Sequence, residues 1–415
     1  MSGHPAEVSV NGRSYRWPTA PTVVVCLDGS APDYIETAIA KGLAPNLARF
    51  KRDGADLTAL CAIPAFTNPN NLSIVTGAPP SVHGISGNYF FDPATGQEVM
   101  MNDARFLRAD TIMKAFADAG ARVAVVTAKD KLRALLAKGL DFAAGRAVGF
   151  SAEKADHATR AANGLDQALA FVGQPLPPVY SAALSEFVFA AGVKLVAGFR
   201  PDVIYLSTTD YVQHKAPPGS ALADSFYAMV DRYLGELDRL GAAVALTADH
   251  GMNDKHLPSG EPDVLYLQDV VDALIGRGRA RVILPITDPY VAHHGALGSF
   301  ATIYLPPEAD RAKVIAALAA KPGVDAAMGR EEACARFELP PDRIGDVVVL
   351  SGRQKVLGTT ATRHDLSALT EPLRSHGGFW EQKVPMILNR RLAGPTPERL
   401  RNFDVFDVVL NRIAS

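Results

Sequence analysis

Three apolar runs in this chain end in residues able to bind a cation. Residues 22–27 (TVVVCL) lead into Asp28-Gly29, residues 203–206 lead into Thr209-Asp210-Tyr211-Val212-Gln213-His214, and residues 244–247 lead into Asp249-His250-Gly251. A fourth segment, Ser375-His376-Gly377-Gly378, precedes another apolar run. The donors are three carboxylates and three imidazoles, with no thiolate. Such a mixture suits zinc, or less selectively manganese or iron, better than calcium or magnesium, which prefer all-oxygen shells. Six ligands exceed what one tetrahedral zinc takes. They fit two ions ~3.5–4 Å apart, the arrangement that clamps attacking and leaving groups in phosphoryl transfer. Singly, each fragment has a plainer reading: Asp-Gly is a turn, and Asp-x-x-x-His is a helix cap followed by a surface histidine. Their recurrence on successive run ends is what points to a site.

A nucleophile is available in Ala65-Phe66-Thr67-Asn68-Pro69. Thr67 stands just before a predicted helix over 68–76, which has proline in its first turn and stops at Gly77. A threonine there is ordinarily an N-cap. The same place offers the partial positive charge of a helix start, which favours a phosphate and an alkoxide, and a nearby metal lowers the hydroxyl pKa further. Lys129 and Lys131 follow the apolar run 122–127 at the start of a predicted helix over 130–138. Ammonium groups there oppose the helix dipole. The placement reads either as a solvated helix start or as a seat for an anion.

The elements that must position these residues are strands without polar alternation, separated by helices. That pattern predicts an α/β fold with a mostly parallel central sheet covered by helices on both faces. Ligands then sit beyond the carboxyl ends of the strands, so Asp28, Asp210, Asp249 and His250 share one edge, to which His376 must return. Asp210 and His214, four apart, fall on one face of a helical turn. Helices are also expected over 45–53, 111–119 and 221–240. From about residue 261 the texture becomes βαβ-like, with strands over 281–286, 300–305 and 346–350, a helix over 309–320, and no convergent ligand set. We read 262–357 as an inserted α+β cap domain in a core formed by 1–261 and 358–415, since 415 residues exceed one ordinary core. A net charge of −2 argues against a broad nucleic-acid surface. Cys26, Cys61 and Cys334 are odd in number and dispersed, giving neither a disulfide framework nor a thiolate metal site. Residues 1–21 lack an apolar signal core, and no stretch approaches the roughly 18 apolar residues of a span. A cytoplasmic location with no membrane partner is the expectation.

Leu27-Asp28-Gly29, Pro45-Asn46-Leu47, Thr67-Asn68-Pro69, Thr76-Gly77-Ala78-Pro79-Pro80-Ser81-Val82-His83-Gly84-Ile85, Thr209-Asp210…His214, Thr247-Ala248-Asp249-His250-Gly251-Met252 and Ser375-His376-Gly377-Gly378 resemble, in the same order, the motifs of the nucleotide pyrophosphatase/phosphodiesterase branch of the alkaline phosphatase superfamily. The resemblance implies an alkaline phosphatase-like fold and two Zn2+ ions. It places Asp28, Thr67, Asp249 and His250 around one ion and Asp210, His214 and His376 around the other. It makes Thr67 the nucleophile and Asn88, in Gly87-Asn88-Tyr89, a donor to a phosphoryl oxygen; the plainer reading of Asn88 is a turn residue. Cys61 is followed by Ala62-Ile63-Pro64 without the arginine of a sulfatase element, and a threonine nucleophile points away from the serine-using phosphatases and mutases. The lysine pair is similar in placement to one that binds the substrate carboxylate in phosphonoacetate hydrolases.

This resemblance implies hydrolysis of phosphonoacetate to acetate and phosphate through a phosphothreonine, with Thr67, Asn88, Lys129, Lys131, His214 and His376 contacting the substrate. Cleaving a C–P bond releases a carbanion equivalent, and an adjacent carboxylate spreads that charge as an enediolate. Two ammonium groups then stabilise charge that grows in the transition state. A phosphodiesterase or nucleotide pyrophosphatase with the same metals is the alternative, for which an aromatic slot for a base is expected. A zinc-stabilised binding protein without turnover is a remoter one. No role is assigned to the adjacent His293-His294, and oligomeric state has no signature, although members of the family are often homodimers.

Overall fold

The computed structural model describes residues 4–92, 94–288, 295–367 and 369–414. His293 and His294 lie outside them. The fully apolar runs become strands with no exposed residue. These are β1 (Thr22–Cys26), β3 (Val123–Thr127), β4 (Ala147–Ser151), β5 (Val203–Ser207) and β6 (Ala243–Thr247). The half-polar β2 (Ala55–Leu60) forms the sheet edge. Four further strands follow, β7 (Arg281–Ile283), β8 (Phe300–Tyr304), β9 (Val324–Gly329) and β10 (Val347–Ser351), before the chain returns as β11 (Lys383–Leu388). The central sheet runs β2-β11-β6-β1-β5-β3-β4, and only β11 opposes its neighbours. Burial on both faces is why these strands read as continuous apolar runs.

Helices cover both faces. On one side lie α3 (Ala182–Lys194) and α5 (Ala221–Arg239), whose Phe187, Phe189, Val230 and Leu234 pack into a cluster with Val23, Ile204 and Val244. On the other lie α1 (Thr67–Thr76) and α6 (Val405–Asn411), packed with Val24, Tyr205 and Ala245. Between these in sequence come α2 (Asp130–Leu136) and the short α4 (Tyr211–Lys215). Contrary to the expectation from the sequence, one stretch, Ala182–Phe199, has the length and apolarity of a membrane span, with mean hydropathy 1.6. Slightly more than half of it is buried inside the protein, because α3 packs against β5 and α5.

The four strands β7 to β10 form a second sheet, in the order β7-β8-β10-β9, with every pairing antiparallel. The βαβ-like rhythm of this interval therefore gives an antiparallel sheet with helices, consistent with the α+β character expected. Its apolar face is not sealed off. Val282, Phe300, Ile303 and Val349 belong to the same cluster as Leu72, Val75 and Phe66 beside α1. The second sheet thus shares a continuous apolar core with the layer that holds α1, and Phe300 meets Phe66, the residue before Thr67, edge-on at 6.4 Å between ring centres.

Phe187 is fully buried beneath the central sheet, so Phe187→Ala should lower the unfolding free energy by about 3–5 kcal/mol. Denaturant unfolding followed by circular dichroism checks this. A loss below ~1 kcal/mol would mean that this face of the sheet repacks around the cavity.

Candidate active site

The carboxyl ends of β1, β5 and β6 adjoin in the sheet, so Asp28, Asp210 and Asp249, each two or three residues beyond a strand, arrive together. The turn after β1 is tied to its neighbours. The Asp28 N–H donates to Thr208 Oγ1 (3.0 Å), and the Gly29 and His250 N–H groups donate to Asp249 Oδ1 (3.2 and 3.0 Å). Gly29 has φ +71°, and a Cβ there would stand 2.8 Å from Asp210 Cβ. Asp210 is the N-cap of α4, and the His214 N–H bonds its carbonyl at 3.0 Å. The single turn expected from the spacing thus sets His214 Nε2 2.9 Å from Asp210 Oδ2. His376 returns on the two-residue strand Arg374–Ser375, which pairs with Asn253–Asp254 just after β6.

All three histidines are oriented through the same atom. Nδ1 of His214 lies 2.8 Å from the Arg374 carbonyl, that of His250 2.9 Å from the Gly251 carbonyl and that of His376 2.8 Å from the Ala65 carbonyl. A carbonyl only accepts, so each Nδ1 carries a proton and each ring turns its Nε2 inward. There it meets carboxylates. His250 Nε2 is 3.3 Å from Asp28 Oδ1 and 3.7 Å from Asp249 Oδ2, and His376 Nε2 is 3.7 Å from Asp210 Oδ2. The His250 and His376 rings stack 3.6 Å apart. Asp28 Oδ1 is buried with no hydrogen-bond partner.

Electrostatics register this crowding. Burial first, then Asp210 and Asp249, push the Asp28 carboxyl far above its ordinary value. Burial also raises Asp249. Burial alone would raise Asp210, but His214, His376 and His250 outweigh it and hold Asp210 well below the carboxylate range. His376 is driven down by burial and then by the other two imidazoles. Converging imidazole nitrogens and carboxylates, with the rings fixed from behind by carbonyls, are the donor set a divalent cation requires. Among the described residues two such groups form, Asp28-Asp249-His250 and Asp210-His250-His376. His250 therefore adjoins both groups, whereas the sequence reading put it in one.

Thr67 differs from its ordinary reading. It is the first residue of α1, with Phe66 in the N-cap position, and its side chain caps nothing. The reason is that Asn88 supplies the cap from outside. Asn88 Oδ1 accepts the Asn68 N–H at 3.0 Å, which leaves the Asn88 amide nitrogen as a donor at the cavity. Thr67 Oγ1 stands 3.5 Å from His250 Nε2. Two asparagines of the same helix escaped the sequence reading. Asn71 donates to Asp249 Oδ2 (3.1 Å) while accepting from the Tyr205 and Ser207 hydroxyls (2.7 and 2.8 Å). Asn70 binds the carbonyls of Ala62, Pro64 and Phe66, fixing the loop before Thr67. The available signal was an Asn-Pro-Asn-Asn run in a helix with no exposed residue after Thr67. His83, a motif residue without assignment, is buried and accepts the Ile85 N–H at Nδ1 (3.1 Å) while its Nε2 meets Ser73 Oγ at 2.9 Å. Burial pushes it down to about 3, so it stays neutral and structural.

A small cavity of about 60 Å³ opens over this cluster, with Thr67, Asn88, Lys129, Lys131 and His376 on its wall. His214, Asp249 and His250 lie deeper. Lys129 is the N-cap residue of α2 and places its ammonium 4.7 Å from the centre of the Tyr180 ring. Lys131 pairs with Asp288, a buried carboxylate that comes from the inserted interval and also lines the cavity. The sequence reading gave that interval no part in the site. Burial first, and then the charge of Lys129, push Lys131 down to about 8.

Comparison with known proteins agrees with this architecture. The model of the type I phosphodiesterase / nucleotide pyrophosphatase family matches residues 22–379. Phosphonoacetate hydrolase from Sinorhizobium meliloti 1021, solved in complex with phosphonoformate and with phosphonoacetate, is 64% identical, with 98% of this chain and 99% of that one covered at a TM-score of 0.96. Murine ectonucleotide pyrophosphatase / phosphodiesterase 5 shares the fold at 19% identity, with 95% of this chain and 96% of that one covered and a TM-score of 0.62. An uncharacterised pyrophosphatase/phosphodiesterase of Schizosaccharomyces pombe is 39% identical over 77 residues, 18% of this chain and 15% of that protein. The chain thus spans a small fraction of the length of that curated relative. With the family match running over most of the chain, and the strand-end motifs inside it, the chain belongs to the type I phosphodiesterase / nucleotide pyrophosphatase family.

Proposed function

We propose that this protein hydrolyses the carbon–phosphorus bond of phosphonoacetate to acetate and phosphate at a two-zinc site. The observation that carries the reading is the placement of two lysines, Lys129 and Lys131, on the small cavity that also presents Thr67 and Asn88. The near full-length likeness to the Sinorhizobium meliloti enzyme supports it. Asp28, Thr67, Asp249 and His250 would hold one zinc and Asp210, His214 and His376 the other. When bound, the ions supply Lewis-acid activation of a hydroxyl and of water and offset the phosphonate charge.

The residues of the chain then divide the work. Thr67 Oγ1 attacks phosphorus and the P–C bond breaks, leaving a phosphothreonine. The Asn88 amide donates to a phosphoryl oxygen. The electron pair of the broken bond moves onto the methylene carbon and spreads into the carboxylate, where Lys129 and Lys131 hold it. The carbon takes up a proton, balancing the one lost by the Thr67 hydroxyl, and acetate leaves. Water next attacks the phosphothreonine, releasing phosphate and restoring Thr67. Residues 262–357 would serve as the cap that places Asp288 beside the lysines.

Phosphate release from phosphonoacetate, measured beside hydrolysis of bis-p-nitrophenyl phosphate and a dinucleotide, tests the assignment. Thr67→Ala and chelation should each remove turnover. Lys129→Ala and Lys131→Ala should each lower kcat/KM for phosphonoacetate about 10- to 100-fold, as expected for a lost charged hydrogen bond, and spare the diester. Full activity in EDTA would overturn the metal assignment. Faster diester turnover, insensitive to the lysines, would move the function to phosphodiester cleavage.

The partly buried Lys131 ammonium adds a pH signature. A lysine held near 8 loses its charge as the pH rises through that value, so kcat/KM for phosphonoacetate should fall there on the alkaline side. Lys131→Arg, charged throughout, should shift or remove that limb. An identical alkaline limb with the diester would detach it from carboxylate binding.

A further inference from the structure

One buried ion pair takes no part in the chemistry above. Lys255 is 0% and Glu381 1% exposed, and Lys255 Nζ lies 3.0 Å from Glu381 Oε1. A buried pair of this kind contributes little to stability compared with apolar residues of the same volume. Its partners suggest another use. The Glu381 carbonyl accepts the N–H of Gly251, the residue after His250, at 2.7 Å. Glu381 Oε2 accepts the N–H of Gly378, two residues after His376, at 3.0 Å. Glu381 Oε1 also accepts from Asn253 Nδ2 at 2.7 Å, and Asn253 sits in the short strand that pairs with Arg374–Ser375. Lys255 Nζ donates in addition to the Arg353 carbonyl at 2.7 Å, between β10 and the strand Val356–Gly358.

One residue thus grips both loops that deliver the stacked imidazoles. The pair needs such a grip. Gly377, between His376 and Gly378, has φ +124° and abuts Phe66, where a Cβ would fall 2.4 Å from the ring, so this loop has no side chain of its own to anchor it at that point. If it slid against the loop of His250, the two Nε2 atoms would separate. We propose that Glu381, held in place by Lys255, is a positioning residue that keeps the His250 and His376 loops in register for metal binding. The inference rests on the reading of His250 and His376 as ligands. The ion pair confers directionality: Lys255 occupies Oε1, which commits Oε2 to Gly378.

The test separates metal affinity from stability. Metal-free protein is titrated with zinc against a chromophoric chelator, and its thermal unfolding is recorded without metal. Glu381→Met alone should destabilise, because it strands a buried ammonium. The double variant Lys255→Met with Glu381→Met should recover most of the lost Tm yet bind zinc about 10- to 100-fold more weakly, the usual cost of losing a residue that orients metal ligands. Lys255→Met with Glu381→Gln, which retains an acceptor for the Gly378 N–H, should regain most of that affinity. If the Met double variant fails to fold, Glu381→Asp decides: the shorter acid should weaken zinc binding with little change in Tm. Zinc binding as tight as wild type in the Met double variant, or affinity and Tm that fall and recover together across the series, would overturn the proposal. Wild-type protein that binds no zinc would instead overturn the metal reading itself, and the inference with it.

Discussion

Three imidazoles are fixed by hydrogen bonds from Nδ1 to main-chain carbonyls, at Arg374, Gly251 and Ala65, and the rest of the site follows from that. Each bond fixes the orientation of a ring, and the rings turn their Nε2 atoms toward three carboxylates. Without rigid support such a cluster would relieve its repulsion by rotating side chains outward. The support comes from the backbone of three separate segments, so the geometry belongs to the fold rather than to any one loop. Main-chain carbonyls that elsewhere serve only secondary structure here set the direction of the rings.

Helix α1 shows what that demands of packing. Every residue from Asn68 to Thr76 is buried, and five of the nine are polar. A buried polar helix is tolerable only when its side chains are satisfied, and they are. Asn70 ties down the preceding loop, Asn71 orients Asp249, Ser73 meets His83, and Thr76 bonds the Leu72 carbonyl at 2.6 Å. The cap of this helix is the side chain of Asn88, which frees Thr67 from capping and leaves its hydroxyl facing the cavity.

Much of this could be read from the sequence, because the strongest signals are local. Apolar runs without alternation announce buried parallel strands, and ligands concentrate where such runs stop, so Asp28, Asp210, Asp249 and the lysines after β3 stood out. What escaped was set by distant partners. Strand β4 was missed because Gly149 interrupts its apolar run; the residue must be small, since a Cβ would come 2.9 Å from Phe142. The edge strand β2 is half polar and carries little pattern. The position of Thr67 inside the helix depends on an asparagine 21 residues away. Asp288 reaches Lys131 from 157 residues further along the chain, in an interval that shows no ligand-like pattern.

The apolar cluster shared by the second sheet and α1 has a consequence for how this protein can diversify. Phe300, Ile303 and Val349 belong to the same continuous apolar body as Leu72 and Val75, so residues 262–357 cannot be exchanged as a self-contained module without opening the core they share with the layer around α1. Substitution at a polar position of the cavity wall, such as Asp288, would change ligand contacts while leaving that shared core intact.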